Sequence, residues 1–406
     1  MRRLPLTALA LALLAGFGGA AALALRPGAA AAPPPRRPLL RLDSTLPAWV
    51  APGGAVSLTG FAGARKPVQV ATAAGEVLTA AMSGPRGRFR LRFRAPGRAG
   101  RYDLRLLAPG VSTPIGRLLV RPLTLDAVGD ITFGEQVGPT IAARGPAYPW
   151  TGVAPTLRRA DVTVGNLETA VSARGTAEAG KRYVFRGTPA SLRPVGALAG
   201  FDVLTLANNH SGDYGPAALL DTLAATRAAG IASVGAGSDE TAARRPAILR
   251  AGGLHVAVLG YSDVNPLGFP AGAGTPGTAR AGPAAIAADV RAARRRADVV
   301  VCFLHWGVEM RVDPDARQRA LADACLGAGG DVVLGAHPHV LGAVERPGPR
   351  TLVSWTLGNF VFPSSGVAAD TAILQVRLGA DGVRGYRLLP VRIDGFRPEL
   401  VRAGTP

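Results

Sequence analysis

From Leu123 onward, short runs of apolar, largely β-branched residues alternate with alanine-rich stretches of helical length. Leu123–Val128 and Val299–Leu304 are two of the strand-like runs, and Ala217–Ala229 and Ala284–Ala297 are two of the helix-like stretches. This rhythm predicts strand–helix–strand units, in which helices cover the faces of a largely parallel sheet. We therefore predict a layered α/β domain over residues 122–395, followed by a short tail over residues 396–406.

The preceding segment, residues 40–121, follows a different pattern. Short runs such as Phe89–Phe93 and Tyr102–Leu106 alternate apolar and polar residues, and glycine or proline separates them. This pattern is typical of a small antiparallel β-sandwich of immunoglobulin-like type. The segment shows no cluster of catalytic residue types, so we expect it to act as a spacer or a binding module.

The N-terminus carries an export signal of one of two kinds. Arg2 and Arg3 precede Leu4–Leu25, which contains no charged residue. Residues 1–25 are thus predicted to be a cleaved signal peptide or an N-terminal membrane anchor, and the length of the apolar segment favours the anchor. An Ala/Pro-rich linker over residues 26–39 would follow. The body is expected at the extracytoplasmic face of the cell membrane, or secreted if the N-terminus is cleaved.

The formal charge of the chain is +19, from 46 Lys+Arg against 27 Asp+Glu. Such a charge favours anionic partners, but only Lys66 and Lys181 are lysines and the arginines are spread along the chain. No basic run carries interleaved aromatic residues, so we predict no nucleic-acid partner. Two cysteines cannot build a disulfide framework, and Cys302 and Cys325 are expected to be small core residues, with a single bridge between them left open.

Polar side chains with metal-binding or catalytic potential come directly after predicted strands at six places. Four of the five histidines belong to this set, and His255, at the start of its strand, is predicted to be structural. Carboxylate, carboxamide and imidazole together form a mixed N/O ligand set, which suits Mn, Zn or Fe, and two such ions could serve a hydrolysis. The six motifs are Gly129-Asp130, Gly165-Asn166-Leu167-Glu168, Ala207-Asn208-Asn209-His210 with Asp213, His305-Trp306-Gly307-Val308-Glu309, His337-Pro338-His339 and Leu357-Gly358-Asn359-Phe360.

These motifs, in this order, closely resemble the CapA family of capsule-synthesis, poly-γ-glutamate-associated proteins. The resemblance covers about Leu123 to Ile393. It implies a calcineurin-like metallophosphoesterase-type layered α/β sandwich, here preceded by the small β-sandwich. It also implies one or two divalent transition-metal ions and an anionic capsule or cell-wall polymer as partner, with capsule synthase components as further candidates.

The resemblance assigns roles residue by residue. It implies His210 as general acid, grouped with Asp213 in the catalytic set. The phosphoesterase first motif has a histidine two residues after its aspartate, whereas this chain has Thr132, which puts one metal site in doubt. The implied metal ligands are Asp130, Glu168, Asn209, His305, His337 and His339.

Two functions fit these features. The first is a metal-dependent hydrolase or transferase in capsule polymer biosynthesis. It is favoured because nearly all of the polar site residues of the family pattern are present. The second is a non-catalytic, membrane-anchored polymer-binding or export component with a degenerate metal site, which Thr132 and the anchor favour.

Overall fold

The structure is a computed structural model that describes residues 40–264 and 269–401. The predicted N-terminal signal or anchor and the linker lie outside the described residues. Among the residues described, no helix is both long and apolar enough to span a membrane.

The first seven strands are β1 (Arg41–Leu42), β2 (Ala55–Phe61), β3 (Pro67–Thr72), β4 (Val77–Met82), β5 (Arg88–Arg94), β6 (Gly100–Ala108) and β7 (Val111–Val120).

These seven strands form two antiparallel sheets, in the orders β1-β2-β5 and β4-β3-β6-β7. Alternate side chains of each strand turn inward, as β5 shows with Phe89, Leu91 and Phe93 buried between exposed arginines. The inward side chains of both sheets make one apolar core. The segment therefore has the sandwich form that its alternating pattern predicts.

Eighteen strands and seven helices build the rest of the described chain. The strands are β8 (Leu123–Ile131), β9 (Val162–Leu167), β10 (Ala170–Val171), β11 (Arg186–Gly187), β12 (Val203–Thr205), β13 (Ala232–Val234), β14 (Ala236–Gly237), β15 (Ala247–Ala251), β16 (Leu254–Ser262), β17 (Gly277–Thr278), β18 (Val299–His305), β19 (Val332–Ala336), β20 (Val344–Glu345), β21 (Leu352–Ser354), β22 (Asn359–Val361), β23 (Asp370–Gly379), β24 (Gly382–Asp394) and β25 (Arg397–Leu400). The helices are α1 (Val137–Arg144), α2 (Ala154–Leu157), α3 (Pro189–Ala197), α4 (Gly215–Ala228), α5 (Glu240–Ala243), α6 (Pro283–Arg294) and α7 (Ala316–Gly327).

Two large sheets pack face to face in this region. The first has the order β13-β12-β9-β8-β23-β24-β25, with β22 also pairing with β8, and the second has the order β15-β16-β18-β19-β21-β20. One apolar core lies between the sheets and includes side chains of β8, β16, β18 and β23. A second core lies under α1, α3 and α4, and a third under α5, α6 and α7. The result is a four-layer α/β/β/α sandwich.

The central strands of both sheets are buried on both faces, which is why they appear in the sequence as unbroken apolar runs. All seven residues of β18 are buried, for example. The sequence also marks where helices begin: Asp315 caps the N-terminus of α7 through a reciprocal capping box with Gln318. The layered α/β architecture predicted from the strand–helix rhythm is confirmed.

One detail differs from the sequence-based expectations, and another settles an alternative that they left open. Residues 397–400, predicted to belong to a tail, form β25 at the edge of the first sheet, where Pro398 lacks only a hydrogen bond that an edge strand can forgo. Cys302 on β18 and Cys325 on α7 are both buried, as expected of core residues, and they are joined in a disulfide. The bridge that the sequence left open is therefore present.

The β-sandwich is joined to the α/β layers through the turn between β15 and β16. Ala51 N donates to Gly252 O and Ala55 N donates to Gly253 O, each at 2.8 Å. Gly252 has a φ of 53°, and a Cβ there would lie 2.2 Å from the ring of Trp49. The guanidinium of Arg121 covers the other side of this contact, 3.6 Å from the ring centroid of Trp49. The β-sandwich and the turn between β15 and β16 are therefore in direct backbone-to-backbone contact.

Candidate metal centre

The polar motifs meet because the ends of parallel strands from both sheets point to the same edge of the sandwich. Asp130 is in register with Asn166 on the neighbouring strand. In the second sheet, His305 is in register with Ala336, the residue before His337. The backbones at this edge approach closely, since a Cβ on Gly129 would lie 1.7 Å from Gly358 O. A larger residue at position 129 would push Asp130 out of place.

Six carboxylate and imidazole groups form three overlapping clusters at this edge. In each cluster, one potential ligand atom per residue lies within 4.8 Å of the others. Each cluster shares one member with each of the others, so two ions held here would share ligands. The clusters are Glu168 with His305 and His337, Glu309 with His337 and His339, and Asp130 with Glu168 and His339.

The side-chain amide of Asn166 lies at the centre of the hydrogen bonds in this site. Its Nδ2 donates to Asp130 Oδ1 at 2.8 Å and lies 3.2 Å from His305 Nδ1. Its Oδ1 accepts a 3.0 Å bond from Asn208 Nδ2. The carboxamide of Asn209 lies on the other side of His305, with Oδ1 2.8 Å from Nε2. Three carboxamides therefore fix the orientation of the acidic and imidazole groups.

His210 lies beside this cluster, with its own supports. His210 Nδ1 lies 2.8 Å from Asp213 Oδ2, and the fully buried Asp213 also accepts from the ammonium of Lys181 and from Phe185 N. The ring of Phe185 stacks on the imidazole of His210, with centroids 4.0 Å apart. Hydrogen bond and stacking together hold the imidazole in one orientation.

The His-Pro-His turn has a strained backbone. His337 and His339 both adopt positive φ, at 97° and 60°. For residues other than glycine this costs on the order of 1–3 kcal/mol each, and such strain concentrates at functional sites. The turn is held by hydrogen bonds from His337 N to Asp130 Oδ2 and from Met310 N to Pro338 O. The strain places two imidazoles beside Asp130, with His339 Nδ1 3.4 Å from Asp130 Oδ2.

Burial shapes the protonation of the site. Burial lowers the pKa of His305 well below its usual range, and it lowers the pKa of His337 to about 4. Both imidazoles are thus neutral near pH 7, the form in which a ring nitrogen binds a metal ion. Burial, together with the charge of Asp130, raises the pKa of Glu168 well above its usual range. Burial also lowers the pKa of His339, but its contacts with Asp130 outweigh that effect and leave the pKa raised.

The donor set fits a divalent transition-metal ion. Glu168 Oε1 and His337 Nδ1 are buried and have no hydrogen-bond partner within the described structure. Leaving such atoms unpaired costs about 1–3 kcal/mol each, whereas a cation between them would satisfy both. Imidazole with carboxylate is the ligand chemistry of Zn, Mn and Fe. The residues at this edge therefore suit the kind of ion that the strand-end motifs predict.

All eight residues predicted for the site lie together: Asp130, Glu168, Asn209, His210, Asp213, His305, His337 and His339. Sequence reasoning omitted Glu309 from the ligands, although it ends the quoted His-Trp-Gly-Val-Glu motif. It also omitted Lys181 and Phe185, which lie in a segment with no strand-end signal. The rarity of lysine in this arginine-rich chain was the one clue to Lys181. His255 lies outside the centre, beside Asp298.

Thr132 does not replace the histidine of the phosphoesterase motif. Its hydroxyl accepts a 3.1 Å bond from Gly134 N, and its own N–H donates to Val361 O. The side chain is fully buried and serves the turn after β8.

Two curated proteins of capsule biosynthesis are similar to this chain in sequence. The PGA biosynthesis protein CapA of Bacillus subtilis is 33% identical over 282 residues, which is 69% of this chain and 74% of that protein. The capsule biosynthesis protein CapA of Bacillus anthracis is 33% identical over 287 residues, 69% of either chain. A solved 5'-nucleotidase precursor from Thermus thermophilus has 16% identity and a TM-score of 0.43, over 68% of this chain and 54% of that one.

The model of the family described as bacterial capsule synthesis protein PGA_cap matches residues 124–364. This span contains all of the strand-end motifs through Asn359 and Phe360. The predicted layered α/β sandwich behind a small β-sandwich is confirmed by the sheet topology. The chain belongs to the bacterial capsule synthesis protein PGA_cap family.

Proposed function

We propose that the protein acts in the biosynthesis of an anionic capsule polymer of the poly-γ-glutamate class, as a metal-dependent hydrolase or transferase. The observation that carries the proposal is the set of three overlapping carboxylate–imidazole clusters, in which Glu168 Oε1 and His337 Nδ1 have no hydrogen-bond partner among the described residues. A structural role for these histidines would pair those atoms with protein groups. The names of the two Bacillus relatives supply the class of polymer.

In this proposal Asp130, Glu168, Asn209, His305, His337 and His339 hold the metal, and Glu309 joins them. A bound divalent ion would supply a Lewis acid and an activated water. His210 would hold the proton that the leaving group takes. Because Asp213 accepts from His210 Nδ1, Nε2 is the nitrogen left for the substrate. Lys181 and Phe185 N hold the Asp213 carboxylate in place.

We place this activity outside the cytoplasm. The basic and apolar N-terminal segment predicts export, as a membrane anchor or as a cleaved signal. The disulfide between Cys302 and Cys325 supports the same compartment, since such bonds persist in oxidising surroundings. Anchored chains would work at the outer surface of the cell membrane, beside the synthase components that make the polymer.

A second candidate is a polymer-binding or export component without catalysis. Thr132 favours it, because the histidine that the phosphoesterase motif would place there is absent and the threonine is committed to a backbone turn. The exposure of Glu309 points the same way, as an exposed ligand holds a metal ion less firmly.

One experiment separates the two. The full chain, purified in detergent, is incubated with Mn or Zn and either a generic phosphodiester or poly-γ-glutamate, and product is followed over time. Turnover that is abolished in His210→Ala, with metal content unchanged, supports the catalytic proposal. Metal binding without turnover of either substrate in the wild type supports the second candidate, and absence of bound metal contradicts both versions of the site.

A further inference from the structure

Four arginines form a row on the outer face of the β-sandwich. Arg88, Arg90, Arg92 and Arg94 alternate along β5 with three buried apolar residues, and all four are exposed. Residues two apart in a strand lie on the same face, about 6.6–6.8 Å from one another. The row therefore places one guanidinium at each regular step along β5, and the two central ones, Arg90 and Arg92, have no ion pair among the described residues, whereas Arg88 pairs with Asp43 and Arg94 with Asp298.

The row leads into further arginines at the junction with the α/β layers. Arg94 lines a concavity of about 330 Å³, together with Arg294, Arg295, Arg296 and His255. Arg295 and Arg296 also line a neighbouring concavity of about 190 Å³, which reaches Arg244 and Pro246. A third concavity, of about 410 Å³, shares Pro246 and adds Arg245 and Arg227. We name the β5 row and these three concavities the arginine track.

Several charges of the track are not neutralised by the protein. Among the described residues, Arg90, Arg92, Arg245, Arg295 and Arg296 have no ion pair. The other arginines of the track are paired: Arg88 with Asp43, Arg94 with Asp298, Arg294 with Asp331 and Arg244 with Asp289. Charges on an edge strand also prevent sheet-to-sheet aggregation, and β5 is an edge strand of its sheet. That function explains the row on β5 but does not explain why the row runs on into arginine-lined concavities.

We infer that the arginine track binds an extended polyanionic chain of the poly-γ-glutamate class, away from the metal centre. A γ-linked glutamyl unit has five backbone bonds, against three in an ordinary peptide unit, and so extends by about 6 Å. Its charge density, one carboxylate per unit, is close to that of the arginine row. Guanidinium groups pair with carboxylates in a planar, two-point geometry. The identity of the polymer rests on the proposed function, and the binding surface rests on the track alone.

The form of the track favours a polymer over other anionic partners. The residues that line its concavities include no Phe, Tyr or Trp, and His255 is the one ring among them, so successive nucleic-acid bases have no row of stacking platforms there. A membrane surface would call for exposed apolar groups between the basic residues. Alanine and proline separate the arginines in two of the concavities, and Leu220 and Leu223 line only the third. A row of single charges that ends in concavities suits one flexible chain lying lengthwise.

The test measures binding of fluorescent poly-γ-glutamate to the full chain in detergent, by anisotropy at about 0.1 M salt. Two charge-reversal variants, Arg90→Glu/Arg92→Glu and Arg295→Glu/Arg296→Glu, are expected to weaken binding at least about fivefold each, with a shallower salt dependence. The matched control, Arg159→Glu/Arg193→Glu, reverses two exposed arginines that line none of the three concavities of the track. It should change the affinity less than twofold.

Equal losses in control and track variants would show that only net charge matters and would overturn the inference. Loss of binding to phosphatidylglycerol vesicles with unchanged polymer affinity would assign the surface to a membrane and also overturn it. Thermal unfolding of every variant shows whether the fold is intact, and the single variants Arg90→Gln and Arg296→Gln serve if a double reversal unfolds. His337→Ala/His339→Ala should keep the polymer affinity, so failure of the proposed chemistry and failure of the track are separate results.

Discussion

The two ends of this molecule use charge in opposite ways. At the strand-end site, Asp130, Glu168 and three histidines are packed together in the interior, where protein groups leave two buried polar atoms unpaired. On β5, four arginines are spread in water at regular spacing. Buried charge needs a partner and therefore indicates a tightly held ligand, whereas exposed charge is nearly free of folding cost and suits weak contacts repeated many times. The first arrangement is suited to chemistry and the second to holding a chain.

The largest predicted effect is the loss of bound metal from the buried strand-end site. His337→Ala/His339→Ala removes two imidazoles shared between the clusters, and we expect metal content to fall from one or two ions per chain to none, with any turnover reduced at least about a thousandfold. Elemental analysis of the purified full chain measures the first quantity. His255→Ala is the matched control, because this half-exposed histidine lies outside the clusters. An unchanged metal content in the double variant would show that these histidines do not bind the metal, and the proposed metal centre would be wrong.

The second prediction concerns stability. The Cys302–Cys325 disulfide joins β18 to α7 across 23 residues, and closing a loop of that length stabilises a fold by about 3 kcal/mol. Cys302→Ala/Cys325→Ala should lower the free energy of unfolding by about that amount. Chemical denaturation of the oxidised wild type and the variant measures the difference. If reduction of the wild type changes its stability far less than the double substitution does, cavity formation and not the bridge is the cause.

The third prediction uses a buried carboxyl group away from the metal centre. Burial raises the pKa of Asp126 to about 6, and Gln375 bonds to one of its oxygens while the other has no partner. The folded state therefore binds this proton more tightly than the unfolded state does, and the stability of the wild type falls as the pH rises from about 4 through 6. Asp126→Asn should be about 1–3 kcal/mol more stable than wild type at pH 7.5 and equal to it near pH 4.

Denaturation curves at both pH values test the Asp126 substitution. Asp394→Asn removes the same charge from an exposed position and serves as control. A gain that is equal at both pH values would contradict the role of the buried charge.

The smallest predicted effect on stability is that of substitutions in the exposed arginine row of β5. Arg90→Ala/Arg92→Ala should change the free energy of unfolding by less than about 0.5 kcal/mol per site, because neither side chain has an ion pair among the described residues. The same variant should weaken binding of poly-γ-glutamate measurably. A loss of stability as large as that of the disulfide variant would mean that the arginines hold the sandwich together, and the contrast between the two ends would disappear.

The sequence predicts the strand-end site well for a physical reason. A strand buried on both faces requires an unbroken apolar run, and a polar group just beyond it has to lie at the sheet edge, where parallel strands bring such groups together. Asp130, His305 and His337 all follow this rule. Glu309 breaks it, since it lies four residues beyond the end of β18 on an exposed loop and reaches the site through a turn.

Other features depend on contacts that no local pattern encodes. Lys181 reaches Asp213 from a loop without periodicity, and the partner of Cys302 is decided by how α7 packs on the second sheet. The arginine track is visible in part, as the alternation in β5, but its continuation depends on α6 ending beside the β-sandwich. The arginines are spread along the whole sequence, and the fold brings a subset of them together in the arginine track.

The glycine turn that joins the β-sandwich to the α/β layers has a mechanical consequence. Because Gly252 and Gly253 bond directly to the backbone around Ala51 and Ala55, the sandwich has no free hinge at this joint. A polymer held along β5 would then stand at a constant separation from the strand-end centre. The distance between the two surfaces would then be a property of the fold, and the contacts of Gly252 and Gly253 with the β-sandwich are part of what maintains it.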